Sequence, residues 1–221
     1  MEPLSALVQS QLTSDRIWRV LNTAERNGQR CGGPVLLSGL VVGAGIVELS
    51  AGPLGQNSRF SLELLTLLVL QLVGPLLVSL LAMALMMPNW LDRVERHGSR
   101  AWLISVPASA LLAAVLLVLF LISSLCAGAL TTPRSDLIGE AQAMLSGVAL
   151  QDVLRAMLRC SFFLAGICAW SQWRGYQELK RQRHPALMVS NLLIEGLMVL
   201  FALKLLWITV LDPIRLQASS L

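Results

Sequence analysis

The chain has 221 residues, of which 55% are hydrophobic and only 14% charged, with a mean hydropathy of +0.68. Soluble domains average about 45–50% apolar and about 25% charged residues. This composition excludes a soluble globular enzyme, a disordered tail and a secreted disulfide scaffold, and it makes lipid the solvent of the chain.

The net charge of +4 is then a question of topology rather than of nucleic-acid binding, and no nucleic-acid partner is expected. Residues 5–30 come first. Ile17, Trp18, Leu21 and Ala24 recur at helical spacing, while Arg16, Arg19, Arg26 and Arg30 point elsewhere. Ser14 suits an N-cap and Asp15 a first helical turn. A basic helix with a Trp on its apolar face predicts an amphipathic N-terminal region, 1–34, lying in the membrane interface. A helix packed on a partner is the alternative. Gly28 and the run Gly32-Gly33-Pro34 are expected to break it.

Five apolar segments follow within a domain spanning 35–211, before a short tail at 212–221. They are Val35–Ala51, Ser61–Met87, Ala101–Leu130, about Val153–Trp173 and Ala186–Leu211. A spanning helix needs about 20 residues at about 1.5 Å each. The second, third and fifth clear this, the first is marginal, and the fourth carries Arg155 and Arg159 near its start. These two are expected to snorkel or to leave the bilayer. A short amphipathic helix is expected between the third and fourth segments, on Leu137, Ile138, Ala141, Met144 and Leu145. The fold class is an all-α integral membrane protein, with an N-terminal interfacial helix followed by five transmembrane helices. With the N-terminus cytoplasmic, eleven of the seventeen basic residues fall on the inner side, which favours that orientation.

Charges inside spans are costly and need a reason. Glu48 reads as the wall of a polar cavity or as an interfacial carboxylate. Glu195 reads as a pocket residue or half of a buried pair. Lys204, nine residues on at about 100° per residue, faces the opposite way; it is expected to snorkel outward or to meet a neighbouring chain. Gly74-Pro75 interrupts the second span, with Gln71 one turn earlier. Ser38, Gly39 and Gly43 form a small-residue face suited to close helix contact. The four cysteines read as small buried hydrophobes, and the two histidines are not spaced as metal ligands. There is no Walker A loop, GxSxG or HExxH, so the chain is not expected to be an enzyme or to carry a cofactor or metal.

The order of these elements resembles the permease subunits of Mla/MCE-type ABC lipid transporters, the MlaE family. Ser38-Gly39-Leu40-Val41-Val42-Gly43 is similar to the family's small-residue start of span one. Leu70-Gln71-Leu72-Val73-Gly74-Pro75 resembles its Leu-Arg-Glu-Leu-Gly-Pro stretch. Arg100-Ala101-Trp102-Leu103-Ile104-Ser105-Val106-Pro107 is similar to its start of span three. Trp173-Arg174-Gly175-Tyr176 resembles its Gly-Tyr after span four. The resemblance spreads over about residues 15–211. The chain departs from the family in having Gln71-Leu72 for the charged Arg-Glu pair and a short loop, Pro88–Ser99, after span two.

The resemblance implies a permease subunit in a bacterial inner membrane, moving phospholipid or a similar apolar substrate. Its implied partners are lipid, a cytoplasmic ABC ATPase, an MCE-domain protein and a second permease subunit, in a homo- or heterodimer. Glu48, Gln71, Leu72, Gly74, Pro75 and Glu195 are the expected lipid-binding residues. Trp90, Asp92, Arg93, Glu95 and Arg96 are the expected ATPase contacts. A structural or assembly subunit that keeps the permease shape but not its cycle is the alternative.

Overall fold

Long runs of Leu, Val, Ala and Met without a water-exposed face leave the backbone one economical solution in lipid, the helix, in which every N–H and C=O is bonded within its own segment. The computed structural model describes residues 2–54, 73–131, 150–180 and 185–211, and these are helical almost throughout. The helices are α1 (Glu2–Leu54), α2 (Gly74–His97), α3 (Trp102–Thr131), α4 (Leu150–Lys180) and α5 (Pro185–Leu206). A 3-10 turn (Gly98–Arg100) joins α2 to α3, and a π turn (Trp207–Leu211) extends α5. Among the described residues, four stretches are long and apolar enough to cross a membrane, Gly74–His97, Trp102–Thr131, Leu150–Lys180 and Met188–Thr209, and the expected first span, Val35–Ala51, is not one of them. The protein is therefore a multi-pass, all-helical membrane protein. The expected first span, Val35–Ala51, is the C-terminal part of α1. The expected helix over Leu137–Leu145 lies outside the described residues, as do Gln71 and Leu72.

The expected break at Gly28 and Gly32-Gly33-Pro34 does not occur. The basic segment and the first apolar segment form one 53-residue helix, with Ser14 inside it rather than capping it. Proline inside a helix costs about 3 kcal/mol. Here the residues on either side compensate by packing. Ala24, Cys31 and Val35 are buried at helical spacing above and below Pro34, which itself is exposed.

A second expected boundary shifts for the same reason. Pro88–Ser99 is not a loop: α2 continues through Pro88 to His97. Met83, Met86, Met87, Trp90 and Val94 form an unbroken buried stripe across the proline, which again faces outward. The helix stops only at Gly98, whose φ of 58° is a conformation that glycine adopts freely. Likewise, Arg174-Gly175-Tyr176 does not follow the fourth span but lies within α4.

α4 touches α2, α3 and α5, and α1 lies chiefly against α3. Its buried stripe, from Ala156 through Cys160, Phe163, Leu164 and Ile167 to Ser171, forms the centre of the core. The α1–α3 crossing is the tightest. A Cβ on Gly39 would overlap Ser123 Oγ and stand 2.7 Å from the Phe120 carbonyl oxygen; one on Gly43 would run into the Ser124 backbone. Only glycine lets the two backbones come this close. Cys31, Cys160 and Cys168 are buried as expected, whereas Cys126 is exposed.

Candidate functional site

The charged side chains of the helices fall into distinct surroundings. Glu195 of α5 faces Arg174 of α4. Arg174 donates from Nε to Oε2 at 2.9 Å and from Nη2 to Oε1 at 2.8 Å, a two-pronged pairing. The side chains are 28% and 31% exposed, so the pair sits at the edge of the bundle, half out of the core. Bonds of this charge-assisted, planar kind are about twice as strong as neutral ones. Of the two readings of Glu195, this is the pair. Lys204 takes no part in it. It is not on an outward face either: its side chain is 8% exposed, which corrects the expectation of a snorkelling or intermolecular lysine.

Of the residues expected to bind lipid, the described ones are not brought together, and Gln71 and Leu72 lie outside the described residues. Glu48 is exposed on α1. Gly74 and Pro75 are buried at the start of α2, where Cys160 Sγ lies 3.9 Å from the Pro75 carbonyl oxygen. Gly196, next to Glu195, packs instead at Met83. Eight residues of α2 separate Met83 from Pro75, about 12 Å of helix. Gly74-Pro75 and Glu195 therefore belong to different levels of the bundle.

The residues expected to contact an ATPase divide. Trp90 is 1% exposed and belongs to the core, so it offers nothing to a partner. Arg93 is half-buried and donates to Thr23 Oγ1 at 3.3 Å and to Ser105 Oγ at 3.5 Å, tying α2 to α1 and α3. Asp92, Glu95 and Arg96 are exposed, with Arg96 Nε donating to Asp92 Oδ1 at 3.0 Å. At the fourth span, Arg155 pairs with Asp152 at 3.4 Å. Arg159 does not leave the helix bundle but lies over the Trp207 ring, 5.4 Å from its centroid. That is a cation–π contact, favourable where water is scarce.

A feature that residue-by-residue reading missed is a cavity of about 850 Å³ along α4. Gly166, Ala169, Trp170, Trp173, Tyr176 and Lys180 form its floor, a single helical face in which Gly166, Ala169 or Trp170, Trp173, Tyr176 and Lys180 follow at spacings of three and four. Val94, Gly98 and Trp102 close it at the α2–α3 turn, and Val199 and Leu203 of α5 close the other end. The walls are mostly apolar. Trp170 and Trp173 lie against each other with ring centroids 5.2 Å apart. Lys180 Nζ sits 4.6 Å from the centroid of the Tyr176 ring. Gln172 also lines the cavity and is 3% exposed, with neither Oε1 nor Nε2 hydrogen-bonded. A buried amide without partners costs about 1–3 kcal/mol, so its place here asks for a reason.

No protein-family model matches the chain, and no characterised protein or solved structure is significantly similar to it. Among the described residues, no three His, Cys, Asp or Glu side chains come together as a metal site would need.

Proposed function

We propose that the protein is the permease subunit of an ABC-type lipid transport system in a bacterial inner membrane, with a cytoplasmic N-terminus. In this role it passes phospholipid or a similar apolar substrate without covalent chemistry. ATP hydrolysis occurs on a separate cytoplasmic subunit, an MCE-domain protein stands on the outer side, and a second permease copy or relative completes the assembly. The observation that carries this reading is the order of elements: a helix basic in its first half and apolar in its second, followed by four further apolar helices. The same order, with the motifs at Ser38–Gly43 and Gly74-Pro75, underlies the resemblance to the MlaE family.

The test is co-purification and lipid transport. Reversing the exposed charges with Asp92→Lys, Glu95→Lys and Arg96→Glu should detach the ATPase and stop transport, while the helical fold persists by circular dichroism. Retention of both would overturn the coupling assignment. Orientation is tested separately with Arg183→Cys in a Cys126→Ser background. Labelling of that cysteine by an impermeant reagent from the outer side would exclude a cytoplasmic N-terminus.

A specific observation favours a second reading, that of a structural subunit. Trp90 and Arg93 are committed to internal packing, which leaves a small charged face for an energy-coupling partner. An intact complex that transports lipid equally well with the charges of Asp92, Glu95 and Arg96 reversed would support that alternative.

A further inference from the structure

We propose that the cavity on α4 holds the upper part of one acyl chain of an anionic phospholipid from the surrounding bilayer, with Lys180 receiving the head group and Gln172 the polar region between head and chain. The assignment requires only that the helices lie in a membrane. It stands apart from the permease reading and from the residues named for that role.

Three observations converge on this occupant. The first is shape. The floor of the cavity runs from Gly166 to Lys180, fourteen residues or about 21 Å of helix. With Gln172 at the junction, about 12 Å of this floor toward Lys180 takes the head group and glycerol region, and about 9 Å toward Gly166 takes the upper part of one acyl chain. Small residues, Gly166 and Ala169, hollow the deep end, and the tryptophans line the middle. The volume of about 850 Å³ falls within the range of ligand pockets, about 300–1,000 Å³.

The second is the polarity gradient. Among the described lining residues, Lys180 is the one charged side chain, and it lies at the last residue of α4. The ammonium rests on the Tyr176 ring. Arg174 is already occupied by Glu195, so its charge is neutralised by a partner within the protein. A cation at the rim of an apolar groove complements an anionic head, and basic residues at the membrane surface attract acidic lipids.

The third is Gln172. Its amide is buried in the cavity with both polar atoms unpartnered, although buried polar groups are normally satisfied. An ester oxygen of a lipid supplies the missing acceptor for the Gln172 Nε2–H. Trp102 and Trp173, 55% and 53% exposed, leave the groove open toward the bilayer, so its occupant enters sideways from the lipid phase.

The experiment uses the full chain reconstituted in vesicles and reads tryptophan fluorescence, since three tryptophans line the site. Brominated phosphatidylglycerol, which carries a quencher on its acyl chains, is compared with brominated phosphatidylcholine. Wild type should be quenched at lower mole fraction by the anionic lipid, by about fivefold for one lysine. Lys180→Gln, at an exposed position, should remove the preference while leaving the fold intact. Ala169→Trp, which fills the groove, should abolish saturable quenching by either lipid at the site. Equal quenching of wild type by the two lipids overturns the proposal. So does a preference that survives both substitutions, and so does tighter binding of a brominated fatty acid than of the phospholipid. A lipid transport assay run in parallel separates the two readings: transport lost with lipid binding intact counts against neither this site nor its occupant.

Discussion

Two helix pairs in this protein meet in opposite ways. At α1–α3, glycines bring backbone against backbone. At α4–α5, Gly166 packs against a side chain rather than a backbone: a Cβ there would run into the end of Leu203, at 2.7 Å. A charge pair joins these helices where the groove leaves room. In lipid there is little hydrophobic drive for helices to associate, so close packing and polar contacts must hold them. α1–α3 uses the first and leaves no space. α4–α5 uses the second, and space remains for an occupant.

The largest expected effect breaks the closed side. Gly43→Val drives a branched side chain into the Ser124 backbone. It should cost about 1–3 kcal/mol or more and lower the yield of monodisperse protein, read by size-exclusion chromatography and thermal melting. Next comes the open side. Glu195→Gln leaves Arg174 without its carboxylate and should lower the Tm by several degrees. The double variant Arg174→Gln with Glu195→Gln should recover part of that loss, and a double-mutant cycle measures the coupling. A cycle with no interaction energy would remove the pair from the comparison.

Gln172→Leu should act in the other direction. Removing a buried amide without hydrogen-bond partners should raise the Tm of delipidated protein by an amount equivalent to about 1–2 kcal/mol. In anionic lipid that gain should shrink, because the wild-type amide then has a partner. The smallest effect sharpens what is special about Gly43. A Cβ on Gly32 meets nothing within 4 Å, so Gly32→Ala should be neutral or stabilising by up to about 1 kcal/mol. A loss there, measured in the same melt, would show that glycine serves α1 by more than close contact.

Much of the helical plan was legible in the residues. The third segment, Ala101–Leu130, coincides with α3 to within one residue at each end, because it is uninterrupted by charge. The close contact at Gly39 and Gly43 was legible as well, from small residues at helical spacing. The continuity through Pro34 and Pro88 was not. A proline in a one-dimensional string signals a break, and only the buried stripes on either side, seen after packing, outweigh the lost hydrogen bond. The partner of Glu195 was hidden for a related reason. Arg174 reads as a cytoplasmic marker just past the fourth segment, until α4 is seen to run on to Lys180 and to carry it beside α5. The cavity is a property of three helices at once, and no single segment announces it.

The length of α1 has a mechanical consequence. Its 53 residues amount to about 80 Å of helix, against about 40–45 Å for a bilayer with its head groups. Set across a membrane, such a rod would extend past the slab at one surface. A force applied to its N-terminal half reaches Gly39 and Gly43 through continuous helix, and Pro34, just before them, is the point along the rod where bending is easiest.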